Sequence, residues 1–139
     1  MTIREALDLN PQSFLWRKLL RQLFFTRHPI ITPLDIIRMD AKPKEKIWFA
    51  LYKGICSDVV RKKFYGIVYA DGWDAFEKVL KKYHKNGNYW SNREEALREA
   101  WSARADAMEW THRHVRMLIK LIKEEESNGK TNKHSTNEH

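Results

Sequence analysis

A single cysteine, Cys56, stands in the whole chain, so no internal disulfide can form. A lone thiol fits a reducing compartment, and a cytoplasmic protein is the expectation. Residues 1–10 carry Arg4, Glu5 and Asp8 and lack the apolar stretch of a secretory leader. Long hydrophobic runs are missing too. The longest, Ile47–Tyr52, falls far short of the roughly 20 residues that cross a bilayer, so no membrane is expected among the partners. Only five glycines and four prolines punctuate 139 residues, which argues against an all-β fold with many tight turns. There is no glycine-rich phosphate loop, no Gly-x-Ser-x-Gly and no zinc-ligand spacing. No stretch assembles nucleophile, base and stabiliser together, so neither an enzyme nor a cofactor is expected.

What is present is apolar material for a core, 42% of the residues with 17 aromatics, and 32% charged residues to solvate the surface. The net charge is +8, concentrated before residue 91 and absent beyond it. Such an excess favours anionic partners through long-range attraction.

The apolar spacing is helical almost throughout. A possible capping box at Thr2–Glu5 opens a short helix, and Asn10-Pro11 opens an amphipathic one over 11–26 with Leu15, Leu19 and Leu23 in line. Thr32-Pro33 caps a short helix to Met39. Pro43 starts another to Cys56, and Ser57 or Asp58 caps a third to Ala70. Asp71-Gly72 is a turn signal, with a further helix from Trp73 to Lys85 closed by Asn86-Gly87-Asn88. Ser91-Asn92-Arg93-Glu94 has the form of a capping box and predicts one long helix over 92–126. Its apolar stripe is interrupted by Arg104 and Thr111, and beside it runs an alanine stripe from Ala96 to Ala107. The expectation is an all-α fold: an irregular bundle of five or six helices over 1–126 with the long C-terminal helix as its spine, and a disordered polar tail over 127–139.

Several features bear on function. Basic clusters lie at Arg17, Lys18 and Arg21, at Arg61, Lys62 and Lys63, and at Lys78, Lys81, Lys82 and Lys85. The last four sit three and four apart, on one helix face. Cationic stripes of this kind recognise phosphates, and aromatics close by can stack on unpaired bases. The simpler reading makes them the solvated faces of amphipathic helices. Residues 33–54 have the order of pieces of a helix–turn–helix, with Arg38, Lys44 and Lys46 toward DNA, but the apolar run after Lys46 favours a plain helical hairpin. Glu109-x-x-His112 supplies only half of a di-iron pattern, so no metal is expected. Six tryptophans are expected mostly in the core, with Trp90 stapled against the start of the next helix rather than serving as an interface anchor. Together these features predict a small basic binding module. Its leading partner is DNA or RNA, contacted non-specifically through phosphates by Arg17, Lys18, Arg21, Lys62, Lys63, Lys78, Lys81, Lys82 and Lys85. The alternative is an adaptor or inhibitor that docks a basic face on an acidic protein.

Overall fold

The structure, a computed structural model, describes Thr2 and residues 30–52 and 54–137, the side chains of 130–137 excepted. Five helices lie among these residues: α1 (Pro33–Ile37), α2 (Pro43–Ala50), α3 (Asp58–Lys85), α4 (Arg93–Met108) and α5 (His112–Asn137). There is no strand among the described residues, only an isolated bridge between Thr2 and Ile30. The fold is all-α. The helices expected before residue 27, with Arg17, Lys18 and Arg21, lie outside the described residues.

The chain divides into two compact units. The first is 1–62 with 110–139, and the second is 63–109. In the first, α1, α2 and α5 pack on one another. Thr32 caps α1 through its hydroxyl to the Asp35 amide, and Asp35 answers to the Thr32 amide. The shared core buries Ile36 and Ile37 of α1, Ile47, Phe49 and Ala50 of α2, and Val115, Leu118, Leu121 and Ile122 of α5. The long C-terminal helix supplies this unit's apolar backing. The hairpin reading of residues 33–54 agrees with this geometry. Ile47, Phe49 and Ala50 are buried, and Lys46 is drawn back to donate to the Met39 carbonyl.

Several local expectations are overturned. Asp71-Gly72 is not a turn: α3 runs straight through it to Lys85. The reason is tertiary. Gly72 is buried, and a Cβ there would fall 2.8 Å from Cγ of Met108 and 3.3 Å from Cγ of Arg104. The glycine is used for close approach of α4, not for a bend.

The helix expected over 92–126 is two helices. Glu109 leaves α4 in extended conformation, φ −69° and ψ 127°. Thr111 then starts α5. The ring of His114, three residues on, accepts the Thr111 amide at Nδ1 over 3.1 Å, with the Thr111 hydroxyl 3.2 Å from the same nitrogen. This is the return half of a capping box, with imidazole in the place of a carboxylate; the His114 amide itself donates to the Thr111 carbonyl, not to its hydroxyl. The polar residue that interrupts the apolar stripe therefore stands at the N-terminal boundary of α5, its amide held by the His114 ring.

Ser91 forms no capping box either. It donates to the Asn88 carbonyl, and Asn92 stands at the N-cap of α4 without a side-chain cap bond. By contrast, the Asn86-Gly87-Asn88 stop holds in detail. Gly87 has φ +72°, its amide donates to the His84 carbonyl, and the Asn88 amide donates to that of Tyr83. Those two bonds close a helix end with glycine in the left-handed region. Where a polar tail was expected from residue 127, α5 continues to Asn137, with Ser127, Asn128 and Gly129 exposed on it.

Candidate nucleic-acid interface

Helix α3 carries every described lysine of the expected interface. Lys62, Lys63, Lys78, Lys81, Lys82 and Lys85 are all exposed. Lys63 and Lys78 stand fifteen residues apart, about 22 Å along the helix axis, so they are separate sites on one rod. Lys78, Lys81 and Lys85 share one line, and Lys82 lies beside it. None of these four forms an ion pair among the described residues. The last turn also holds His84, and cations there offset the partial negative charge of the helix C-terminus.

The polar side of the α3–α4 hairpin lies next to Lys82. The Tyr83 hydroxyl donates to Oε2 of Glu99 over 2.6 Å. That bond to a carboxylate pushes the phenol up to about 12. Lys82, Tyr83, Asn86, Asn88 and Glu99 together line a shallow hollow of about 250 Å³. Glu99, engaged by the tyrosine, makes no ion pair with Lys82.

Charge is distributed between the units in a way the linear segments conceal. Residues 63–109 hold eight Lys/Arg against eight Asp/Glu, so the second unit is neutral and the whole excess of +8 belongs to the first. The lysine face of α3 is thus a local concentration. Its counterweights stand elsewhere in the same unit, among them Asp74 and Glu77 earlier on α3 and Glu94, Glu95 and Glu99 on α4.

The tryptophans depart furthest from expectation. Trp48, Trp73, Trp90 and Trp101 are all exposed. Trp90, expected as a staple, is 80% exposed, with Tyr89 packed edge-on against it at 5.1 Å and His84 stacked on Tyr89 at 4.0 Å. Trp73, Phe76 and Trp101 form a cluster with centroids 4.9 to 5.9 Å apart. Arg104 lies across it, its Cζ 4.6 Å from the Trp73 ring centre and 5.6 Å from that of Trp101. No basic cluster in the sequence includes Arg104. The one sign of it there is a charged residue breaking the apolar stripe of α4.

The remaining candidates lose their chemistry in the fold. Glu109 and His112 fall on either side of the α4–α5 break, so the Glu-x-x-His spacing no longer lies on one helix. Cys56 is buried, and that burial pushes its thiol up to about 11, a rise that Arg61 opposes and Glu125 and Asp58 add to. A thiol held so high is a poor nucleophile at neutral pH. No described helix is long and apolar enough to cross a membrane. No family model, curated protein or solved structure matches this chain.

Proposed function

We propose that this chain is a small helical binding module, not an enzyme, that holds nucleic acid non-specifically by its phosphates in the cytoplasm. The observation that carries the reading is the end of α3. Lys78, Lys81, Lys82 and Lys85 project within two turns, exposed and without ion pairs among the described residues. Such ammonium groups give up little when a phosphate arrives, because no carboxylate must first be displaced. Each contact also releases condensed counterions from the nucleic acid. Lys63, near the start of the helix in the same unit, adds a further exposed cation, and Lys62 is exposed in the other unit.

The test is a salt series with mixed-sequence DNA and RNA. Log affinity should fall against log salt with a slope of about −0.9 per phosphate engaged on duplex, and about −0.7 on single strands. Replacing the four lysines by glutamine should flatten that slope and weaken binding on all sequences alike. No binding tighter than about 100 μM at low salt, the weak end of non-specific association, sinks the proposal.

A second reading, docking on an acidic protein, has one observation in its favour: Trp90 stands exposed beside Tyr89, near the lysine face in sequence. Exposed aromatics flanked by charge serve as interface anchors. Trp90→Ala would abolish a protein complex and leave the salt-dependent binding of nucleic acid intact.

A further inference from the structure

We infer that the exposed cluster of Trp73, Trp101 and Arg104 is a stacking platform, and that the nucleic acid taken by this module is single-stranded. The inference rests on the reading above and narrows its ligand.

Trp73 is 45% exposed and Trp101 51% exposed, although both stand where α3 and α4 pack together. Phe76 meets both edge to face, at 5.5 Å from Trp73 and 4.9 Å from Trp101. The two indoles meet at 63° and 5.9 Å. Edge-to-face contacts hold rings rigidly without stacking one ring flat on another, so about half of each indole surface remains in water. Gly72 and Met108 set the depth of the cluster: the missing Cβ lets Met108 and the stem of Arg104 lie directly against α3.

Arg104 gives the platform its charge. Its guanidinium rests on both indoles, and its Nε is shut off from solvent with no hydrogen-bond partner. No carboxylate among the described residues pairs with it. A guanidinium stripped of part of its water and left without an anion is costly unless something complements it. The indoles do so in part through their ring electrons. The terminal nitrogens remain available to an anion that arrives with a flat group beside it. A nucleotide has that combination: a base to lie on an indole and a phosphate for the guanidinium.

The arrangement selects single strands over duplex. In a duplex the base faces are covered by their neighbours, so indoles have nothing to stack on, whereas every unpaired base has a free face. The acidic residues point the same way. Asp74 and Glu77 are exposed on α3 between Trp73 and Lys78 and break the cationic surface. A duplex brings two dense phosphate rows against them, while a single strand needs one row. Trp73 and Lys81 are eight residues apart, about 12 Å along the axis, so a short strand anchored on the indoles reaches the lysine face of the same helix.

The experiment compares a mixed-sequence single strand with the same sequence as duplex, at low salt, on the full chain, with tryptophan emission as a second readout. The single strand should bind about tenfold more tightly and quench the emission, as expected for one or two stacked bases. Trp73→Leu and Trp101→Leu should each remove most of that preference, with duplex binding unchanged. Trp73→Phe and Trp101→Phe, which keep a flat ring, should restore part of it. Retained duplex binding and an unchanged helical circular dichroism spectrum show that the variants are folded. Arg104→Gln should weaken the single strand alone. Equal affinity for the two forms, or leucine variants that bind single strands like the parent, overturns the platform and leaves the lysine proposal standing. If neither form binds, both readings fall, and an acidic protein becomes the partner to seek.

Discussion

Ser57 donates its hydroxyl to Oε2 of Glu125 over 2.6 Å and with the same oxygen accepts the Val60 amide at 3.2 Å. One side chain therefore caps the start of α3 and ties it to α5, sixty-eight residues later. Ser57→Ala should cost about 1–2 kcal/mol, the range for loss of an N-cap, because the Val60 amide and the Glu125 carboxylate both lose a partner. Glu125→Gln should cost less, since the cap itself survives. Urea denaturation of the two single variants and the double gives the coupling. Strictly additive losses would mean that the 2.6 Å bond contributes nothing.

Two glycines on α3 should respond oppositely to alanine. A Cβ at Gly66 meets nothing within 4 Å, so Gly66→Ala should stabilise the protein by about 0.5–1 kcal/mol through helix propensity alone. A Cβ at Gly72 lands 2.8 Å from Met108 Cγ and 2.9 Å from its sulfur. Gly72→Ala should cost about 1–3 kcal/mol by overpacking and should also disturb the Trp101 environment beside Arg104. Thermal melts and tryptophan emission check both, and a stabilising Gly72→Ala would show that Met108 simply swings away.

On α4, Ala100 is fully buried whereas Ala105 faces water. Ala100→Leu should cost about 1–3 kcal/mol by forcing the helix off its contact. Ala105→Leu should change stability by less than about 0.5 kcal/mol. Equal melting temperatures for the pair would place the alanine stripe in solvent.

Burial holds the Cys56 thiol up to about 11, above its ordinary value of 9.0. The folded state therefore prefers the neutral form. Its contribution to stability is complete below pH 9 and is lost as pH rises from there through 11, because the unfolded chain gives up the proton first. Cys56→Ala should lessen the fall in stability over that alkaline range. Thiol labelling at pH 8 should proceed only as fast as the chain opens, and fast labelling of the folded protein would contradict the burial.

Local rules sufficed wherever one residue type has one strong local use. Thr32-Pro33, Pro43, Ser57 and Gly87 each start or stop a helix where the sequence predicts it, because caps and left-handed glycines act through the backbone of their own turn. The all-α class was determined at the same level, by helical spacing of apolar residues with few turn-formers between them. The lysine face of α3 is equally local: residues three and four apart align on any helix.

Tertiary packing decided the rest. Asp71-Gly72 has the chemistry of a turn, and only the approach of Met108 and Arg104 made a helical glycine useful there. Thr111 and Arg104 were legible merely as two interruptions of an apolar stripe. One became the boundary of α5 because a histidine three residues on turned its ring back to the amide. The other became a cation laid on two indoles because α3 brought Trp73 beside Trp101. Spacing along the chain sets which residues share a helix face. Which faces meet, and so which tryptophans stay half in water, depends on contacts between residues far apart in sequence, and no local pattern encodes those.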